Sequence, residues 1–137
     1  MRAMLRAWGC RMTGAQPTVL IVDDSEGVCL TLSMMLEKSG YRTQCVHDLN
    51  EGLRLAHEGR YDVALIDRTL GHESGLQLAE SFLHSSPATR VVMMSGSVTL
   101  RGEMDQHPAI KHLPILIKPF SRDELLECVR SVLGRAA

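Results

Sequence analysis

Four short runs of consecutive apolar residues punctuate the chain: Val19 to Val22, Val63 to Ile66, Val91 to Met94 and Ile115 to Ile117. Such runs predict strands covered on both faces, because a strand wetted on one side alternates apolar with polar positions. The segment from Tyr41 to Val46 does alternate, setting Tyr41, Thr43 and Cys45 against Arg42 and Gln44, and belongs at a sheet edge. Between the strands the spacing becomes helical. Val28, Leu32, Met35 and Leu36 share one face, and Gly40 follows at a position suited to a left-handed cap. Asp48 with Glu51 and Ser121 with Glu124 have the spacing of capping boxes. The first introduces a stripe of Leu49, Leu53 and Ala56 ended by Gly59, the second a face of Leu125, Cys128, Val129 and Val132 up to Gly134. Another helix starts near Ser74, turns Leu78, Ala79, Phe82 and Leu83 inward and stops before Pro87, whose ring disfavours helical geometry in the residue ahead of it. From Ser97 to His112, Gly102 and Pro108 interrupt a segment with few apolar positions, which predicts only a short, mobile helix.

Strand and helix alternate along the chain, which predicts an α/β fold: a doubly wound, five-stranded parallel sheet with right-handed crossovers and helices on both faces. A length of 137 residues suits one domain, placed at 17–134 between an N-terminal leader (1–16) and a C-terminal tail (135–137). With 45% hydrophobic and 23% charged residues, the domain has a sizeable core and no case for disorder. A net charge of −1 gives no field to draw nucleic acid or an anionic membrane, so neither is an expected partner. The leader carries Arg2, Arg6 and Arg11 without an acid and lacks the apolar stretch of an export signal, so it reads as flexible. The rival reading is a short docking helix pairing Leu5 with Trp8, limited by Gly9 and Gly14. No run of about 18 apolar residues is present to form a membrane span. Cys10, Cys29, Cys45 and Cys128 match neither a zinc knuckle nor a redox pair and read as reduced thiols, pointing to the cytoplasm.

The candidate chemistry stands where the apolar runs end. Asp23 and Asp24 follow the first strand, Asp67 the third, Ser95 the fourth and Lys118 the fifth, so all face the crevice beyond the strand carboxyl ends, where ligands bind in such sheets. Three carboxylates held together repel by about 4 kcal/mol per pair at about 4 Å and an effective dielectric near 20, which calls for a cation beyond Lys118. Oxygen-only donors suit a hard octahedral ion, Mg²⁺ or Mn²⁺, over zinc.

The segments IVDDS, LIDRTLGHESG, MMSGS and IKPF resemble the four signature segments of response-regulator receiver domains, with the likeness covering roughly residues 17–134. The resemblance implies the flavodoxin-like strand order 2-1-3-4-5, the order of a chemotaxis member of this family. It implies that Asp67 is the phosphoacceptor, a carboxylate nucleophile forming an acyl phosphate. Asp23, Asp24, Asp67 and the backbone carbonyl of Thr69 would hold the metal, while Lys118 and Ser95 contact the phosphoryl group. Gly75, Ser95 and Lys118 lie 8, 28 and 51 residues after Asp67, intervals that look like the family's. The Lys118–Pro119 bond is expected to be cis. The implied function is phosphoacceptance in a two-component system or phosphorelay, from a histidine kinase or histidine phosphotransfer protein, signalled through the face of the fourth helix, fifth strand and fifth helix to an unknown downstream protein. The expectation is a signalling domain that assists only its own phosphorylation and dephosphorylation, as a monomer or weak homodimer. It would be a stand-alone regulator or a receiver detached from a hybrid kinase.

Two departures from the family's pattern stand out. Gly71 occupies a place where proline is frequent, suggesting a more flexible loop, and Ile115 stands where many members carry a switch aromatic, suggesting a muted or rerouted response. The six histidines read as surface or loop residues, with His72 placed to affect hydrolysis, and Met34, Met35, Met93 and Met94 as core filler. The alternatives are a receiver-like interaction module working without phosphate, and an aspartyl-nucleophile phosphatase. The latter lacks the second aspartate two residues on that it would need, since Ser25 stands directly after Asp23-Asp24.

Overall fold

The computed structural model describes residues 16–134. The leader apart from Gln16, Cys10 and the tail lie outside the described residues. Five parallel strands form one sheet: β1 (Thr18–Val22), β2 (Arg42–Val46), β3 (Val63–Asp67), β4 (Arg90–Ser95) and β5 (Ile115–Ile117), in the order β2-β1-β3-β4-β5. Helices α1 (Glu26–Lys38), α2 (Leu49–Ala56), α3 (Gly75–Ser85) and α4 (Leu100–Met104) fill the crossovers, and α5 (Arg122–Val132) follows the last strand. A two-residue antiparallel ribbon, Thr69–Leu70 with Glu73–Ser74, fills the loop between β3 and α3. The alternation expected from the sequence and the strand order implied by the resemblance are those of the structure.

Alternate residues of each strand point to opposite faces, and the sheet therefore separates two cores. Leu20, Val22, Ala64, Ile66 and Met93 pack with α2, α3 and α4, whereas Val19, Ile21, Leu65, Val92 and Met94 pack with α1 and α5. Local chemistry fixes the helix starts. Ser25, Asp48, Ser74 and Ser121 each accept a backbone N–H with the side chain. Of the two expected capping boxes, that of Ser121 and Glu124 is complete, while Asp48 shows only its bond from the Glu51 N–H among the described residues. A returning Glu51 carboxylate would lie against that of Asp48, a repulsion absent beside a serine.

Several packing expectations need correction. β5 is not covered on both faces: Leu116 is buried, but Ile117 is 39% exposed, because β5 is an edge strand beside a helix of only five residues. Met34 is not core filler, being 52% exposed between the inward turns of Leu32 and Leu36. In α2 the buried positions include Leu55, outside the expected stripe, and Leu53 is only partly buried. The segment after Ser97 buries Leu100, Met104, Ile110 and Leu113 in the core, while Val98 is exposed.

Candidate functional site

The strand carboxyl ends meet in a crevice as expected, and each acidic side chain is held by backbone geometry as well as by charge. Asp23 continues β1 by donating its N–H to the Val46 carbonyl at 3.2 Å, which fixes its carboxylate in a site only 1% exposed. One of its oxygens accepts the Ser25 N–H at 2.9 Å and the other the Lys118 ammonium at 2.7 Å. Asp24 is exposed and accepts the Gly71 N–H at 3.1 Å. Asp67 closes β3, accepts from Lys118 at 3.0 Å, and receives the Thr69 N–H at 3.3 Å. One carboxylate oxygen from each of Asp23, Asp24 and Asp67 lies within 4.8 Å of the others.

Lys118 arrives from the opposite side of the crevice. Its N–H donates to the Ser95 carbonyl at 2.7 Å, and the Lys118–Pro119 bond is cis, as the resemblance implied. One ammonium thus bridges two of three carboxylates. Burial, joined by the charge of Asp23, pushes the Asp67 carboxyl above its ordinary value despite the Lys118 bond and the Thr69 N–H. Burial works against the charge on Lys118, yet its hydrogen bonds to Asp23 and Asp67 prevail and raise its pKa. Three carboxylates facing one ammonium leave two negative charges uncompensated when all are ionised, and the convergent oxygens are hard donors. The set fits a divalent oxygen-seeking cation such as Mg²⁺ or Mn²⁺.

Ser95 is buried at the end of β4, but its hydroxyl is turned onto Ser97, accepting that residue's N–H at 3.0 Å and donating to its carbonyl at 3.1 Å. Among the described residues it makes no hydrogen bond to Asp67. Gly75 has a steric reason to be glycine: a Cβ there would lie 1.8 Å from the Asp67 carbonyl oxygen, and its N–H donates to the Arg68 carbonyl at 2.6 Å. Gly71 has φ +65° and lends its N–H to Asp24, so the residue expected to loosen the loop is tied to the site. Proline, with φ locked negative and no N–H, could supply neither feature.

Other contacts escaped the sequence reading. His47 Nδ1 lies 3.0 Å from the Asp23 carbonyl, which also accepts the Cys29 thiol at 3.7 Å. Arg68, directly after Asp67, forks onto Glu103 of α4: Nε donates to one carboxylate oxygen at 2.7 Å and a terminal nitrogen to the other. Gly75 stood out in the sequence by its interval from Asp67, whereas Gly71 was read as loosening the loop; Arg68 and Glu103, 35 positions apart, left no local signal.

The family model described as "Response regulator receiver domain" matches residues 19–130. Sporulation initiation phosphotransferase F of Bacillus subtilis is 29% identical, over 84% of this chain and 92% of its own length. The uncharacterized transcriptional regulatory protein YkoG of the same organism is 30% identical over 84% of this chain and 50% of its own. The chain thus spans about half the length of YkoG, and of PcoR from Escherichia coli, of which it covers 52%. Among solved structures, a CheY-like receiver domain protein from Methanospirillum hungatei superposes with a TM-score of 0.79 at 25% identity, covering 87% of this chain and 94% of that one. A response regulator from Thermotoga maritima gives 0.74 at 28% identity, covering 87% and 98%. Fold, motif order and family match agree, and the chain belongs to the response regulator receiver domain family.

Proposed function

We propose that this receiver domain takes a phosphoryl group onto Asp67 from a histidine kinase or histidine phosphotransfer protein, with Mg²⁺ or Mn²⁺ held by Asp23, Asp24, Asp67 and the Thr69 carbonyl. The observation that carries the reading is the convergence of three carboxylates within 4.8 Å, with one lysine bridging Asp23 and Asp67. In the transfer, an Asp67 oxygen forms a bond to phosphorus as the bond from phosphorus to the donor nitrogen breaks, and that nitrogen keeps the electron pair. The bound cation supplies neutralisation of the phosphoryl oxygens. Lys118 holds Asp67 in place before transfer and offers its ammonium to the transferred group afterwards. Ser95 must turn its hydroxyl away from Ser97 to reach that group, a rotation about one side-chain bond. Burial and the charge of Asp23 disfavour the ionised form of Asp67, an effect that the Lys118 hydrogen bond opposes. The output is a rearrangement of the face formed by α4, β5 and α5 that a downstream protein reads. The domain works in the cytoplasm as a signalling acceptor.

Intact mass after incubation with a small acyl-phosphate donor and Mg²⁺ tests the reading. Wild type gains one phosphoryl group, and Asp67→Asn gains none. A gain retained in Asp67→Asn, or absent from wild type, overturns it.

A further inference from the structure

We propose that Arg68 carries the charge added at Asp67 to helix α4, by exchanging its hold on Glu103 for the new phosphoryl group; this rests on Asp67 being the acceptor. The backbone of Arg68 is pinned on both sides, with its N–H donating to the Met94 carbonyl at 2.8 Å and its own carbonyl accepting the Gly75 N–H at 2.6 Å. Only the side chain is free to respond. That side chain holds Glu103 through two nitrogens and donates its third to the Thr69 hydroxyl at 3.2 Å.

Glu103 lies on the short helix α4. A helix of five residues is about one turn, too short to be stable alone, and its N-cap Thr99 accepts no helix N–H with its side chain, whose hydroxyl lies 2.7 Å from that of Ser97 instead. Buried Leu100 and Met104 fasten its inner side, the Arg101 guanidinium donates to the Lys111 and Leu113 carbonyls, and the Arg68 fork holds Glu103, which is half-exposed. Because the paired side chains are 36% and 37% exposed, the pair adds little to folding stability, and releasing it leaves the core intact.

Phosphorylation adds about one negative charge beside Arg68. One guanidinium nitrogen donates to the hydroxyl of Thr69, the residue whose N–H donates to the Asp67 carboxylate at 3.3 Å. The planar fork of Arg68 suits phosphoryl oxygens as well as a carboxylate. The added charge therefore competes with Glu103 for one arginine and loosens α4. Such a route reaches α4 without an aromatic at Ile115.

The test follows backbone amides by NMR and intact mass on the same samples, with acyl-phosphate donor and Mg²⁺, for wild type, Arg68→Ala, Arg68→Lys and Glu103→Gln. All four gain the phosphoryl mass. In wild type the amides of residues 100–104 shift on phosphorylation; in Arg68→Ala and Glu103→Gln that shift is lost, and in Arg68→Lys it returns in part. Shifts in Arg68→Ala matching wild type, or no shift of α4 in phosphorylated wild type, overturn the inference while leaving Asp67 as acceptor. Failure of Arg68→Ala to gain the mass also overturns it, by making Arg68 part of the transfer step. No mass gain in wild type removes the acceptor reading and the inference with it.

Discussion

Asp67 sits in a crevice that disfavours its own charge. Its carboxyl is held above the ordinary value of 3.8 by burial, while Lys118 pulls the other way. The folded state therefore binds this proton more tightly than the unfolded chain. Stability from that preference is fully present below about pH 3.8 and is lost as pH rises through the raised folded value. At neutral pH, without metal, the ionised Asp67 therefore disfavours the folded state. Asp67→Asn, which keeps an acceptor for Lys118, is expected to unfold at higher urea than wild type at pH 7 in chelator. The advantage should shrink as pH falls toward 3.8. Equal stability at pH 7 would mean that Lys118 already balances the carboxylates. The acids and Lys118 were legible because they interrupt apolar runs at strand ends. The rotamer of Ser95, turned onto the backbone of Ser97, and the fork of Arg68 onto Glu103 were not, since side-chain direction leaves no mark on the apolar pattern.

The junction between β3 and α3 illustrates how a helix start positions a reactive group. Ser74 caps the helix through its hydroxyl, and Gly75 lets the first turn press against the Asp67 carbonyl. Gly75→Ala would drive a methyl group into that carbonyl, so the helix or the end of β3 must move. Such overpacking against backbone typically costs about 1–3 kcal/mol. The expected outcome is a lower thermal midpoint together with slower phosphoryl uptake, measured by mass against time; unchanged uptake would show that Asp67 tolerates the shift. The strands from Val19, Val63 and Val91 were readable because both sides of each are covered, whereas β5 misled because a strand at the rim can be equally apolar. Similarly, Leu100 and Met104 revealed nothing through periodicity, as one turn is too brief to show a repeat.

Two apolar layers share a single sheet, and each strand contributes to both, so neither layer can melt without unpairing the other. Phe82 and Leu36, both 0% exposed, lie in the layers under α3 and α1 respectively. Phe82→Ala and Leu36→Ala should each remove about 3 kcal/mol and shift one common urea transition, seen alike by circular dichroism and by amide signals from both sides. Separate transitions for the two layers would contradict this coupling. The rims of the sheet matter in another respect. β2 turns Arg42 and Gln44 to solvent, and β5 is only three residues long. A foreign strand seeking to zip alongside would find a charged border on one flank and almost no ladder on the other, so self-association into fibrils is discouraged at its two natural starting points.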